Sequence, residues 1–118
     1  MPTERGVFGK HGEDLACEYL VQHGYEIVTR NFSCRYGEID IIAVKNQAIT
    51  FAEVKSRRSL AFGTPGMAVN YNKQMKIKKT ALTYLQQQQT YYELICFDVI
   101  EVLVINGNTS ITHLQQCF

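Results

Sequence analysis

Residues 38–55 run Glu38-Ile39-Asp40-Ile41-Ile42-Ala43-Val44-Lys45-Asn46-Gln47-Ala48-Ile49-Thr50-Phe51-Ala52-Glu53-Val54-Lys55, and the fold is decided by how this stretch is read. The segment from Ile39 to Val44 is apolar on both faces, the pattern of a strand inside a sheet. Ala48 to Lys55 reads as a second strand, and Asn46-Gln47 between them as a two-residue turn. Such a turn fixes the register, because residues equidistant from it lie opposite each other. Ile42 is then expected to face Phe51, Asp40 to face Glu53 and Glu38 to face Lys55. Strand alternation puts Asp40 on the face of Ile42 and Val44, and Ile49, Phe51, Glu53 and Lys55 together on one face. Glu53 and Lys55 stand about 7 Å apart along their strand.

Working outward, Leu15, Ala16, Tyr19 and Leu20 recur at helical spacing, which predicts a helix from Gly9 to His23 stopped by Gly24. Residues 1–8 before it read as a flexible tail. Tyr25 to Phe32 reads as a first strand. Beyond Lys55 comes a loop with Gly63-Thr64-Pro65-Gly66, then a helix starting at Asn70 or Asn72 and ending near Gln88. Leu94 to Ile105 is a strongly apolar strand, turned at Asn106-Gly107-Asn108 into a last strand from Ser110 to Leu114. The order is helix, three strands, helix, two strands, which predicts an α/β fold with helices packed on a mixed sheet. Residues 9–118 are expected to form a single domain.

The chain has 118 residues, 46% of them hydrophobic, enough for one core without disulfide or metal staples. Its four cysteines, Cys17, Cys34, Cys96 and Cys117, form no C-x-x-C pair and have no histidine at zinc spacing, so they read as free thiols in a reducing compartment. The N-terminus lacks an apolar signal core. The longest apolar run is broken by Asp98 and Glu101 and is too short for a membrane span. A cytoplasmic location with no membrane partner is the expectation. The net charge of +1 gives no global case for nucleic acid; its distribution is more informative. No acidic residue occurs between Glu53 and Glu93, while that interval carries Lys55, Arg57, Arg58, Lys73, Lys76, Lys78 and Lys79, seven of the twelve basic residues. Presented on one surface, they make a positive patch; as a solvated basic helix, they mean little.

Asp40 and Glu53, opposed on neighbouring interior strands, repel each other unless a cation lies between them. Mg²⁺ prefers carboxylate oxygens and retained waters, so the hairpin geometry points to a metal site. Glu13 falls between Cys17 and Leu20 on the helical wheel, inside the apolar stripe, from which it can reach the sheet. Each residue also has a plain structural account. Asp40 can accept backbone or arginine hydrogen bonds, Glu53 can pair with Lys55 or another cation, Lys55 can pair with Glu38, and Glu13 can favour its helix N-terminus. Lys73, Lys76 and Lys79 are spaced three apart, expected opposite the apolar stripe of Ile77, Ala81, Tyr84 and Leu85. With Arg57 and Arg58 they are candidate phosphate contacts.

At these residues the sequence resembles the YraN-like family of small bacterial proteins, in the restriction-endonuclease-like PD-(D/E)XK superfamily and similar to archaeal Holliday-junction resolvases. The resemblance rests on Gly12-Glu13 with Ala16 and Tyr19-Leu20, Arg30-Asn31, Gly37-Glu38-Ile39-Asp40, Glu53-Val54-Lys55 with Arg57, Phe62-Gly63-Thr64-Pro65, Ala68-Val69 with Lys73, and Phe97-Asp98-Val99. It departs from the family pattern at Met67, where an acidic residue is usual, and at Cys96, where an arginine is usual. The resemblance implies an αβββαβ core in which Asp40 and Glu53 bind Mg²⁺ (or Mn²⁺) with help from the Val54 carbonyl. It further implies that Lys55 orients or deprotonates the attacking water and that Glu13 assists the metal. The implied activity is metal-dependent cleavage of DNA, including branched DNA. A non-cleaving nucleic-acid-binding module and a homodimeric scaffold on the same fold are the alternatives, since fold alone does not establish chemistry.

Overall fold

A computed structural model describes residues 4–58 and 70–118, with side chains from Phe8 onward. The order of elements is α1 (Glu4–Gln22), β1 (Glu26–Cys34), β2 (Gly37–Lys45), β3 (Ala48–Arg57), α2 (Tyr71–Gln86), β4 (Leu94–Ile105) and β5 (Asn108–Leu114). The expected Gly63-Thr64-Pro65-Gly66 loop and the Phe62 and Ala68-Val69 motifs lie outside the described residues.

The five strands form one mixed sheet in the order β1-β2-β3-β4-β5. Neighbours are antiparallel except β3 and β4, which run parallel. Parallel neighbours need a long crossover, and the segment containing α2 supplies it. Asn46 and Gln47 both adopt positive φ, 50° and 65°, as a two-residue type I′ hairpin demands. Asn106 and Gly107 do the same at 51° and 77°, so the second turn is two residues long and Asn108 already belongs to β5.

The helices cover opposite faces of the sheet. Ala16 and Leu20 of α1 pack on Ile41, Ala43, Ala52, Ile100 and Val102. Ile77, Ala81 and Tyr84 of α2 pack on Ile39, Ile42, Ile49, Phe51 and Val99. β2 and β3 are therefore sealed on both faces, as their uninterrupted apolar character requires. The α1 seat is close: a Cβ on Gly12 would overlap the Ser56 hydroxyl.

Two sequence expectations need correction. Residues 1–8 are not all tail, because α1 begins at Glu4. Gly6 and Gly9 weaken that turn locally, but tertiary contact offsets them, with the Arg58 guanidinium 4.2 Å from the centre of the Phe8 ring. The β2–β3 ladder runs from Lys45↔Ala48 through Ile42↔Phe51 to Ile41↔Ala52, and Asp40 and Glu53 are not ladder partners. In the β1–β2 ladder Arg30 pairs with Ile41 and Phe32 with Ile39, leaving Asn31, at φ 56°, opposite Asp40. The regular pleat is interrupted there, and Ile39 packs on the same side as Ile42.

Candidate functional site

Where the β2–β3 ladder stops, the Asp40 side chain takes over one of its hydrogen bonds. The Val54 backbone N–H donates to Asp40 Oδ2 at 2.8 Å. This draws the Asp40 carboxylate to the beginning of the Glu53-Val54-Lys55 segment. Asp40 and Glu53 then line one cavity of about 490 Å³, with Gly37 and Glu38 of β2, Asn70 and Asn72, and Lys73, Lys76 and Ile77 of α2 as its walls. Asn70 caps α2, its Oδ1 accepting the Lys73 N–H at 2.9 Å, which fixes the helix start over the cavity.

Both acids are electrostatically strained. Glu53 is only 6% exposed; burial first, and the charge of Asp40 next, push its carboxyl up to about 7. Burial also raises Asp40, against the opposing bond from Val54 and with the help of the Glu13 and Glu38 charges. Lys73 is an ion-pair partner of Glu53, Nζ to Oε2 at 3.5 Å, a long contact from a partly exposed side chain. Lys55 sits beside Lys73, and burial lowers its ammonium's acidity range, with the adjacent Lys73 adding to the effect. Lys73 is shifted the other way: its own desolvation opposes the charge, but Lys55 and Glu53 together raise it.

Several candidate residues are placed differently from expectation. Glu13 does not line the cavity. Its Oε1 accepts from Arg30 Nε at 3.0 Å and from Asn31 Nδ2 at 3.1 Å, so the Arg30-Asn31 pair acts as its clamp, next to Asp40. Lys73 is not opposite the apolar stripe. Four residues before Ile77, it lies on the same side of the helix and turns into the cavity, whereas Lys76 is exposed on the rim and Lys79 is exposed farther round. Arg57 is spent inside the protein, with its Nε 3.2 Å from buried Glu101 Oε2, which removes it from the phosphate-contact set. Arg58 is exposed and packs on Phe8. Sequence reasoning also missed Asn70 and Glu38 as lining residues. The i, i+4 spacing of Lys73 and Ile77 was the available signal for Lys73. Among the described residues no group of three or more His, Cys, Asp or Glu side chains is gathered closely enough to hold a metal, so the carboxylate pair stands without an acidic third member.

Fold and site together define a small mixed α/β domain with one buried and one half-buried carboxylate and two lysines at the break between its central strands. The chain belongs to the uncharacterised protein family UPF0102, whose model matches residues 12–102, in agreement with the YraN-like resemblance. A UPF0102 protein of Nocardia farcinica is 45% identical over 116 residues, covering 98% of this chain and 91% of that protein. One from Caldicellulosiruptor bescii is 48% identical over 110 residues, 91% of this chain and 90% of the relative. One from Clostridium tetani is 49% identical over 100 residues, 85% and 82% respectively. These names specify no activity. Among the described residues no helix is long and apolar enough to cross a membrane.

Proposed function

We propose that the chain is a divalent-metal-dependent endonuclease that hydrolyses phosphodiester bonds of DNA, branched or structured DNA included. The observation that carries this reading is the cavity holding Asp40 and Glu53 together, both raised by burial and Glu53 further by Asp40. A bound cation relieves that strain, since desolvated carboxylates need a charge partner. The donors fit the ion: two hard carboxylates, with the Val54 carbonyl as the further donor that the resemblance implies, suit Mg²⁺ and also Mn²⁺. Asp40 and Glu53 would hold it. Its chemistry when bound is to acidify water and to offset charge on the phosphate.

The remaining roles belong to the chain's own side chains. Lys55, whose neutral amine burial favours, can accept a proton from the attacking water. Lys73 stays cationic at the cavity wall and can draw a phosphate towards the two acids. Glu13 is a positioning residue, acting through Arg30 and Asn31. Lys76 and Lys79 are exposed and offer phosphate contacts that carry no sequence information.

A second reading, a nucleic-acid-binding module that does not cut, is favoured by one observation. Lys73 already stands beside Glu53, so an internal cation can occupy the place of an ion. The two readings separate experimentally. Linear, flapped and four-way DNA are incubated with purified protein and Mg²⁺ or Mn²⁺, beside Asp40→Asn and Glu53→Gln. The nuclease reading expects cleavage that both variants lose while circular dichroism stays unchanged, and metal binding heat that the variants reduce. Cleavage that persists in both variants, or no metal heat with intact DNA binding, overturns it.

A further inference from the structure

The turn joining β1 to β2 carries Arg35 and Tyr36, which the cavity's own chemistry does not use. It is fastened to the cavity wall. A Cβ on the next residue, Gly37, would lie 3.4 Å from Thr80 Oγ1 and 3.9 Å from Lys76 Cβ, both on α2. Gly37 also lines the cavity, so the turn forms its lip. Tyr36 remains 36% exposed although two cations meet its ring. The Arg35 guanidinium lies 4.8 Å and Lys79 Nζ 5.7 Å from the ring centre, and Arg35 also donates to the Tyr36 hydroxyl at 2.6 Å. An aromatic ring, a guanidinium and a lysine are thereby concentrated in one exposed patch beside rim residue Lys76. Among the described residues, the acid at this lip is Glu38, exposed on the cavity side.

We propose that Arg35, Tyr36 and Lys79 form a platform that grips an unpaired nucleic-acid strand, stacking one of its bases at the turn while Lys76 and Lys79 hold flanking phosphates. The proposal rests on the nuclease reading and names its substrate class. Rings and guanidinium planes stack on any nucleobase, which gives binding without sequence preference. A paired base offers no free face to such a patch. Recession of the site argues the same way: a phosphate reaching Glu53, 6% exposed, must leave a smooth duplex path, which an unpaired strand does readily.

The test uses the full chain in chelator, so that binding is measured without cleavage. Fluorescence anisotropy is recorded for a labelled oligo-dT, a labelled oligo-rU and a blunt duplex, with Tyr36→Ala, Tyr36→Phe, Arg35→Ala and Lys79→Gln. A second single strand carrying 2-aminopurine reports stacking directly. Tyr36→Ala is expected to weaken single-strand binding about 10-fold or more, and to abolish the quenching of 2-aminopurine. Tyr36→Phe keeps both, and duplex binding changes little in either variant. The dT and rU strands show which sugar is preferred, and tight binding of either supports the platform. Tyr36→Ala binding both strands as the wild type does, or unquenched 2-aminopurine in the bound wild type, overturns the platform while leaving metal-dependent cleavage standing. A wild-type chain that binds and cuts no nucleic acid overturns the nuclease reading as well.

Discussion

Asp98 on β4, buried, and Asp40 on β2, half-buried, are acids of the same sheet on opposite faces, and their surroundings differ in kind. Asp98, 1% exposed, accepts from the Gln116 backbone N–H at 2.9 Å and meets His113 Nε2 at 2.7 Å. Tyr19 and Tyr25 close edge-on around that imidazole. Both its oxygens are satisfied by the chain itself. Asp40 has one backbone N–H and a second carboxylate near by, and its neighbour Glu53 has a lysine at 3.5 Å. Burial of a carboxylate is thus no functional signal by itself; two carboxylates lining one cavity and raised by burial and by neighbouring charge are a stronger one. Asp98 holds the C-terminal strand in place, and the Asp40–Glu53 pair has Lys73, 3.5 Å from Glu53, as an ion-pair partner.

Substitution should expose the contrast most strongly. Asp40→Asn is expected to cut the cleavage rate beyond the roughly 10- to 100-fold typical of losing a mere supporting group, while leaving thermal stability unchanged or higher. Asp98→Ala is expected to do the reverse, costing about 3 kcal/mol by stranding His113 and the Gln116 N–H, with residual folded protein still binding metal. Denaturant titration and metal calorimetry on both variants check this; equal stability losses at the two sites would erase the distinction.

Acidity sharpens the same comparison. Glu53 is raised from 4.5 to about 7 in the folded chain. Between those values the folded chain keeps a proton that the unfolded chain has released, so stability without metal falls as pH rises through the window, then levels off. The expected difference from Glu53→Gln is on the order of 2–3 kcal/mol at pH 8, vanishing near pH 4.5, and melts in chelator measure it. On the nuclease reading, metal affinity is expected to run the opposite way, increasing as pH passes about 7 because binding displaces that proton.

Smaller effects distinguish the two faces of the sheet. Gly12→Ala should cost about 1–2 kcal/mol by pushing α1 off Ser56, and should leave metal affinity at the α2 cavity nearly intact. Arg30→Ala should cost no more than about 1 kcal/mol, because its pairs with Glu13 and Asp14 are partly exposed. Its effect on metal affinity should exceed that of Gly12→Ala, since it releases Glu13 beside Asp40. If Gly12→Ala weakens metal binding more than Arg30→Ala does, the clamp assigned to Arg30 and Asn31 is wrong.

Much of this was legible in the sequence because short turns leave the chain little freedom. Asn46-Gln47 set the register of β2 and β3 from Lys45↔Ala48 as far as Ile41↔Ala52, and the Leu94 strand has the bounds its apolar run predicts. The approach of Asp40 to Glu53 was legible for the same reason, but not its form. A left-handed Asn31 on a different strand interrupts the pleat, and no pattern within residues 38–55 encodes that. The fates of Glu13 and Arg57 were illegible for a related reason. Each is fixed by a partner distant in sequence, Arg30 with Asn31 in one case and Glu101 in the other, and charge spacing along an element says nothing of such partners. The three-residue spacing of Lys73, Lys76 and Lys79 predicts one phosphate-facing row, whereas the offset of Lys73 from Ile77 is what turns it into the cavity.

The parallel pairing of β3 with β4, ten residues long from Ala48↔Leu94 to Arg57↔Leu103, has a consequence for how the molecule is made. A ribosome delivers Glu53 and Lys55 well before the strand that must lie against them. Until Leu94 and its successors emerge, β3 is an uncovered margin, able to recruit another nascent chain. Closing so long a loop is slow, which makes assembly of the second flank of β3 the step at which newly synthesised protein is most exposed to aggregation.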